Sequence, residues 1–391
     1  MNKDKILNIE HILLHAINCI IGAVVYSYAS NFLLFKGYSN TSIGIIISVS
    51  GLISILLQPI VANIADRAKK LDVVQIMLIM MAICLFLCLP LYRIQTDSFA
   101  LTLIFISIYC ITDATQPLLN TVGFKMEEFG VKSDYGFARA FGSISFAIYC
   151  AIIGNIINLY SENSIAISGI IFYLLMCILL FFMNKSFASC RKVANIKKQE
   201  SLISLREFIA NNKKMLYLCI SIALFMFGSN IDSYYLIQII TPLGGNTVHQ
   251  GYLGLMWAML EVPGMMLFSK LQKRFKIENL LIFSAIVYAI KSIGVYFSSN
   301  MLMIYLSLSL QWGSFALFQP AIVEYINTNT KKEESNRGQA LKTTVCAIGT
   351  MITNFVGGFI IDYFGIKTLL LLGCVITVLG AYLFTILIKK N

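Results

Sequence analysis

The chain has 391 residues, of which 58% are apolar and 13% charged, and it contains repeated charge-poor stretches of about 20 residues, the length that crosses a bilayer as a helix. A water-soluble fold of this size cannot bury so much apolar surface, which excludes a soluble enzyme or binding module. The net charge of +11 does not imply nucleic acid, because the basic residues flank the apolar runs instead of forming a patch, and that pattern encodes membrane topology.

In chain order, the charge-poor runs fall near 11–35, 42–65, 72–92, 98–124, 138–160, 164–184, 215–240, 249–269, 277–298, 301–323, 339–361 and 366–388. They predict an all-α integral membrane protein of twelve transmembrane helices in two pseudo-symmetric six-helix bundles, residues 1–184 and 215–391, joined by a cytoplasmic linker over 185–214. With odd-numbered spans starting inside, all but four of the 30 Lys and Arg lie on the cytoplasmic side. Lys36, Arg93 and Lys367 remain for outer loops, and Lys291 lies within a span. The positive-inside rule then puts both termini in the cytoplasm, and the expected location is the plasma membrane, a bacterial inner membrane. The linker contains Ser201-Leu-Ile-Ser-Leu-Arg-Glu-Phe-Ile209, which reads as a short interfacial amphipathic helix or a simple lipid-held linker.

The ten cysteines are scattered, and Cys84 and Cys88 have no matching second pair, so neither a disulfide framework nor a zinc site is implied. His11 and His15 are four apart, a metal-binding spacing, but no third ligand lies near in sequence, so no metal and no cofactor is expected. The polar segment Met1 to Glu10 leads into a run too long for a signal-peptide core, and cleavage is not expected.

An internal repeat divides the chain six spans and six. Pro59 matches Pro263 and Lys69-Lys70 matches Lys273-Arg274 at an offset of 204, while Gln116-Pro117 matches Gln319-Pro320 and Arg139 matches Lys342 at 203. Proline frees a backbone carbonyl and bends a membrane helix. Paired bends in two bundles suit a carrier that rocks about a central cavity, here lined by spans 1, 4, 5, 7, 8, 10 and 11.

An ionised side chain at the bilayer centre costs roughly 2.5–3.5 kcal/mol on insertion scales, so each one needs a partner or a wet cavity. The candidates are Asp113, Asp232, Glu261 and Lys291. Asp113 shares a helical face with Gln116 and Asn120, and either lines the cavity or hydrogen-bonds between helices. Asp232, beside Tyr234 and Tyr235, belongs to the site or to the outer interface. Glu261, two residues before Pro263, is too deep to snorkel. Lys291 either snorkels or points inward, and Arg139 by position is an interfacial arginine. Gln311 and Ser314 share a face of span 10, and Trp257 and Trp312 either stack on a ring-bearing substrate or pack the bundle.

At Thr41-Ser-Ile-Gly-Ile-Ile-Ile, at Leu57-Gln-Pro-Ile-Val-Ala-Asn-Ile-Ala-Asp-Arg67 and at Tyr135-Gly-Phe-Ala-Arg-Ala-Phe-Gly-Ser143, the sequence resembles the major facilitator superfamily over nearly its whole length. Within it, the likeness is to the lactose permease and phenylpropionate permease group of proton symporters. The superfamily's gating loop is kept in part as Asp66-Arg67, with Ala62 and Lys69 in place of its glycines. The resemblance implies a sugar-binding arginine at Arg139, an essential glutamate at Glu261, a basic span-9 residue at Lys291 and a span-7 aspartate at Asp232. It also puts Asn120 where the group has a galactoside-binding glutamate, Phe146 at the sugar-stacking tryptophan, Gln311 at a histidine and Ser314 at the proton-carrying glutamate. Lactose is therefore not the expected substrate, and the coupling route differs from the group's.

The expected function is secondary transport of a small polar solute, a sugar, nucleoside or aromatic acid, by alternating access. The coupling is expected to be proton symport through Glu261, Asp232 and Lys291, in a monomer whose partners are substrate, protons and lipid. Asp113, Asn120, Arg139, Phe146, Trp257, Gln311 and Trp312 are the substrate candidates. A uniporter or exporter of the same fold stays open, and a non-transporting sensor ranks behind both. A membrane enzyme would need a nucleophile and base or a metal cluster at a helix end, and three histidines with dispersed cysteines offer neither.

Overall fold

The computed structural model describes residues 3–67, 72–131, 135–190, 212–330 and 335–389. These are helical, with no strand among the described residues. Lipid supplies no hydrogen-bond partners, so each crossing segment must satisfy its own backbone. Eleven helical runs are long and apolar enough to cross a membrane, and the bent pair Lys213–Phe225 and Phe227–Tyr234 makes a twelfth when taken as one span. The side chains of Asp66 and Arg67, the basic pair Lys69-Lys70 and the amphipathic stretch 201–209 lie outside the described residues.

By packing, the chain divides into two units, residues 1–38 with 49–198 and residues 39–48 with 199–391. In the first unit, span 1 is Lys3–Gly22 continued by a π-helical turn, Ala23–Ser27, and by Ala29–Phe35. Span 2 is Asn40–Arg67, span 3 Val73–Arg93, span 4 Phe99–Ala114 with Gln116–Glu128, span 5 Tyr135–Leu159 and span 6 Asn163–Cys190. Span 1 packs on span 5, and span 3 on span 6. Span 3 opens with a capping box in which Asp72 accepts from Val73 and the Gln75 side chain returns to the Asp72 amide. Asp72 also pairs with Lys125 of span 4 at 3.0 Å. At the other end, buried Lys36 donates to the Ile94 carbonyl at 2.7 Å and to Asn163 at 2.8 Å, joining three loops. An apolar cavity lies inside this unit, bordered by Val24 and Val25 of the π turn, Cys88, Phe105, Gly169 and Tyr173.

In the second unit, span 7 is broken into Lys213–Phe225, Phe227–Tyr234 and Leu236–Ile240, with a 43° bend between the first two pieces. Span 8 is Thr247–Leu271, span 9 Ile277–Phe297, span 11 Ser335–Phe364 and span 12 Ile366–Lys389. Span 10 is interrupted by a 3-10 turn, Leu310–Trp312, between Met301–Ser309 and Phe315–Asn329. The core of this unit is a cluster in which Phe225 contacts Tyr288, Phe318 and Phe384 at ring separations of 5.1–5.2 Å. The first turns of span 2, residues 39–48, belong here, with Ser48 bonded to the Met351 carbonyl of span 11 at 2.8 Å.

Spans 1, 4, 7 and 10 are the interrupted ones among those described, every third crossing of the chain. In spans 4 and 10 the break precedes the repeated Gln-Pro pair, at Thr115 before Pro117 and at Leu310–Ser314 before Pro320.

Candidate functional site

The second unit gathers its buried charges into one connected network. Lys291, 1% exposed, forms an ion pair with Asp232, 2% exposed, at 3.2 Å. Its ammonium also donates to Ser229 Oγ at 3.0 Å and to Gln311 Oε1 at 3.1 Å. The Gln311 amide turns its Nε2 to Glu261 Oε1 at 3.1 Å. Asp232 thus pairs inside the bundle instead of reaching the outer interface, and Lys291 points inward instead of snorkelling. The chain of contacts links spans 7, 9, 10 and 8 through two carboxyls and a single ammonium.

Two glycines let these helices come close enough. A Cβ on Gly228 of span 7 would sit 2.6 Å from Ser292 Oγ and 2.8 Å from Thr377 Oγ1, so only hydrogen fits where span 7 meets spans 9 and 12. Ser229, next in sequence, then reaches Lys291. A Cβ on Gly264 of span 8 would lie 2.5 Å from Ala316 Cβ, and the resulting approach of spans 8 and 10 brings Glu261 to Gln311. The bends at Met226 and at the Leu310–Trp312 turn place Asp232 and Gln311 beside irregular backbone, the arrangement in which broken membrane helices form polar sites.

The remaining candidates of this unit lie around the network. Trp257, half-buried, stands one helical turn before Glu261 on span 8, and its indole Nε1 has no hydrogen-bond partner among the described residues. Trp312 is 39% exposed and its ring contacts Phe283 at 6.4 Å, not the network. Ser314 is fully buried and bonds to the Leu310 carbonyl of its own span. Lys342 donates to Gln319 at 3.2 Å, joining the second-half members of two of the repeated pairs.

In the first unit, Asp113 accepts a hydrogen bond from Gln58 Nε2 at 3.0 Å, and Ser54 and Tyr26 face the same carboxyl. Gln116 exchanges 3.4 Å contacts with Asn18 of span 1. Asp113 therefore addresses both span 2, through Gln58 and Ser54, and span 1, through Tyr26, while Gln116 meets span 1 at Asn18. Asn120 and Arg139 are exposed and Phe146 is half-buried. Arg139 lies within electrostatic reach of His15 and Cys19 of span 1. The His11 and His15 rings meet edge to face at 4.9 Å, and no set of three metal-ligating side chains occurs among the described residues.

Sequence reasoning missed Gln58, Ser54, Tyr26, Asn18 and Ser229. Gln58-Pro59 is a third Gln-Pro dipeptide beside Gln116-Pro117 and Gln319-Pro320, a signal that the pairing of halves alone does not pick out. Ser229 and Ser54 leave no such trace, since serines are frequent in membrane helices.

Twelve apolar crossings in two halves, with acid and amide groups paired inside each and a buried ammonium among those of the second, define a polytopic membrane carrier. The chain matches the MFS_1 like family over residues 16–372 and belongs to it, within the major facilitator superfamily. It is 22% identical over 358 residues to an uncharacterized transporter, YwbF, of Bacillus subtilis, covering 90% of this chain and 86% of that one. It is also 22% identical over 356 residues to the maltose permease of Geobacillus stearothermophilus, covering 90% and 87%. Among solved structures it resembles the nucleoside transporter NupG, with a TM-score of 0.79, 16% identity and full coverage of both chains. It also resembles a bacterial homolog of the human lysosomal transporter Spinster, with a TM-score of 0.73, 11% identity and coverage of 100% and 98%. The protein is a multi-pass membrane transporter for a small molecule, and not an enzyme.

Proposed function

We propose that this transporter is a proton-coupled symporter, a monomer of the bacterial inner membrane with both termini in the cytoplasm, and that it takes up a neutral, hydroxyl-bearing solute of the sugar or nucleoside class. The observation that carries this reading is the buried network of the second unit, in which Lys291 forms an ion pair with Asp232 and is joined to a second carboxyl, Glu261, through Gln311. Asp232 is neutralised where it sits, whereas Glu261, half-buried and bonded to the Gln311 amide, is the acid assigned to take up and release a proton. The substrate class rests on the side chains near it. Carboxyls and carboxamides accept and donate hydrogen bonds to hydroxyls, and Lys291 is engaged by Asp232, which favours a neutral solute over an aromatic acid. The printed names of two similar proteins, a maltose permease and a nucleoside transporter, point the same way.

A proton moving down a membrane potential of 100 mV supplies about 2.3 kcal/mol, enough for roughly 50-fold accumulation of a co-transported neutral solute. In proteoliposomes, Glu261→Gln is expected to lose that accumulation while still exchanging internal for external substrate. Accumulation at the parental level would overturn the assignment. The uniport alternative is separated by proton uptake on adding substrate, which symport requires and uniport does not.

A further inference from the structure

Tyr288 lies on span 9, one helical turn from Lys291, and is 1% exposed. Its ring is held by Phe225 at 5.2 Å and Phe318 at 6.1 Å, and those two pack with Phe384. Lys291 Nζ stands 5.6 Å from the ring centroid. This aromatic setting would suit phenylalanine, yet the side chain carries a hydroxyl that is buried and has no hydrogen-bond partner among the described residues. An unmet buried hydroxyl is a cost that phenylalanine would not incur. The hydroxyl is therefore a donor available to an acceptor that comes within reach.

Gln311 joins Lys291, which stands beside the ring, to Glu261 of span 8. Among the described residues Glu261, Asp232 of span 7 and Cys346 of span 11 act on the hydroxyl electrostatically. Asp232 is already paired with Lys291, and a thiol is a weak acceptor. Glu261 is only half-buried and has a longer, more flexible side chain than the packed tyrosine ring. We propose that Tyr288 is a positioning residue for proton coupling: when Glu261 ionises, its carboxylate turns to accept a hydrogen bond from the Tyr288 hydroxyl. A donor that serves the charged form favours that form, so the hydroxyl would help Glu261 give up its proton. This inference rests on Glu261 being the coupling acid.

The test needs no substrate. Trp257 stands one turn from Glu261, and in a Trp312→Phe background it is the sole tryptophan, so its emission in detergent reports the charge of its neighbour. Emission against pH is expected to show a transition that Glu261→Gln abolishes and that Tyr288→Phe moves upward by roughly one pH unit. Tyr288→Phe titrating with the parent, while Glu261→Gln abolishes the transition, would overturn the role of Tyr288 and leave the coupling acid in place. A transition that survives Glu261→Gln would instead sink the coupling-acid reading, and this inference with it. Tyr288→Leu, which loses ring and hydroxyl together, is expected to show the same upward shift in the fraction that remains folded.

Discussion

The carboxylate of Asp362 takes both hydrogen-bond donors of Thr41, a residue 321 positions earlier: the amide at 2.6 Å and the hydroxyl at 2.7 Å, both on Oδ2. Its other oxygen receives the Asn40 amide at 3.2 Å and the Asn40 side chain at 2.8 Å. The opening amides of a helix have no partner within it, and here a carboxylate from span 11 takes the amides of Asn40 and Thr41 while the local Ser39 hydroxyl accepts from the Ser42 amide at 3.1 Å. Asn40 is held further by Gln238 of span 7 at 3.1 Å. Asp362→Ala is expected to cost about 1–2 kcal/mol, the usual range for a lost cap. It would be read as a lower melting temperature of the detergent-solubilised protein, with Asp362→Asn falling between parent and alanine.

Removal of one partner from the Lys291–Asp232 pair strands a buried charge. Lys291→Met is expected to destabilise by about 3–5 kcal/mol, whereas the double variant Lys291→Met with Asp232→Asn removes both charges and recovers most of the loss. Melting temperatures and membrane yield of the two single variants and the double form a cycle. Equal losses in single and double variants would show that the pair is not what holds these two spans together.

Gly228→Ala should disturb the same network from the backbone side. The added carbon would meet Ser292 Oγ at 2.6 Å and Thr377 Oγ1 at 2.8 Å, and overpacking of this kind costs about 1–3 kcal/mol. Shortening the nearest obstacle with Ser292→Ala in the same chain is expected to return part of that loss, and additive effects in the melting assay would contradict the contact.

The cavity of the first unit gives the opposite sign. A Cβ on Gly169 would lie 3.6 Å from both Cys88 Sγ and Val24 Cγ1, an ordinary contact distance. Gly169→Ala is expected to stabilise by about 1 kcal/mol through helix propensity and added packing. A fall in melting temperature would mean that the space beside the π turn is needed empty.

Much of this was legible in the sequence, and the limit falls at identifiable residues. Charge-poor runs marked the spans because lipid imposes a length and a composition. Asp232, Glu261 and Lys291 stood out because ionised groups in such runs are costly, though which one pairs with which depends on helix rotation that no run of letters carries. The interruption at Met226 left no proline or charge to mark it, and span 7 read as one rod. Asn120 stood out by sharing a helical face with Asp113 and Arg139 by its match to Lys342, while Phe146 entered through resemblance alone; the amide partner of Asp113, Gln58 of span 2, depends on helix rotation in the same way.

The interruptions at every third crossing bear on how the molecule yields under load. An unbroken helix resists bending along its length, while a turn of altered geometry concentrates compliance at one joint. With joints at the π turn, Thr115, Met226 and the Leu310–Trp312 turn, small rotations can be absorbed next to Asn18, Asp113, Asp232 and Gln311. The crossings whose helical hydrogen bonding runs through without such a turn then yield less, and the flexing falls at those four joints.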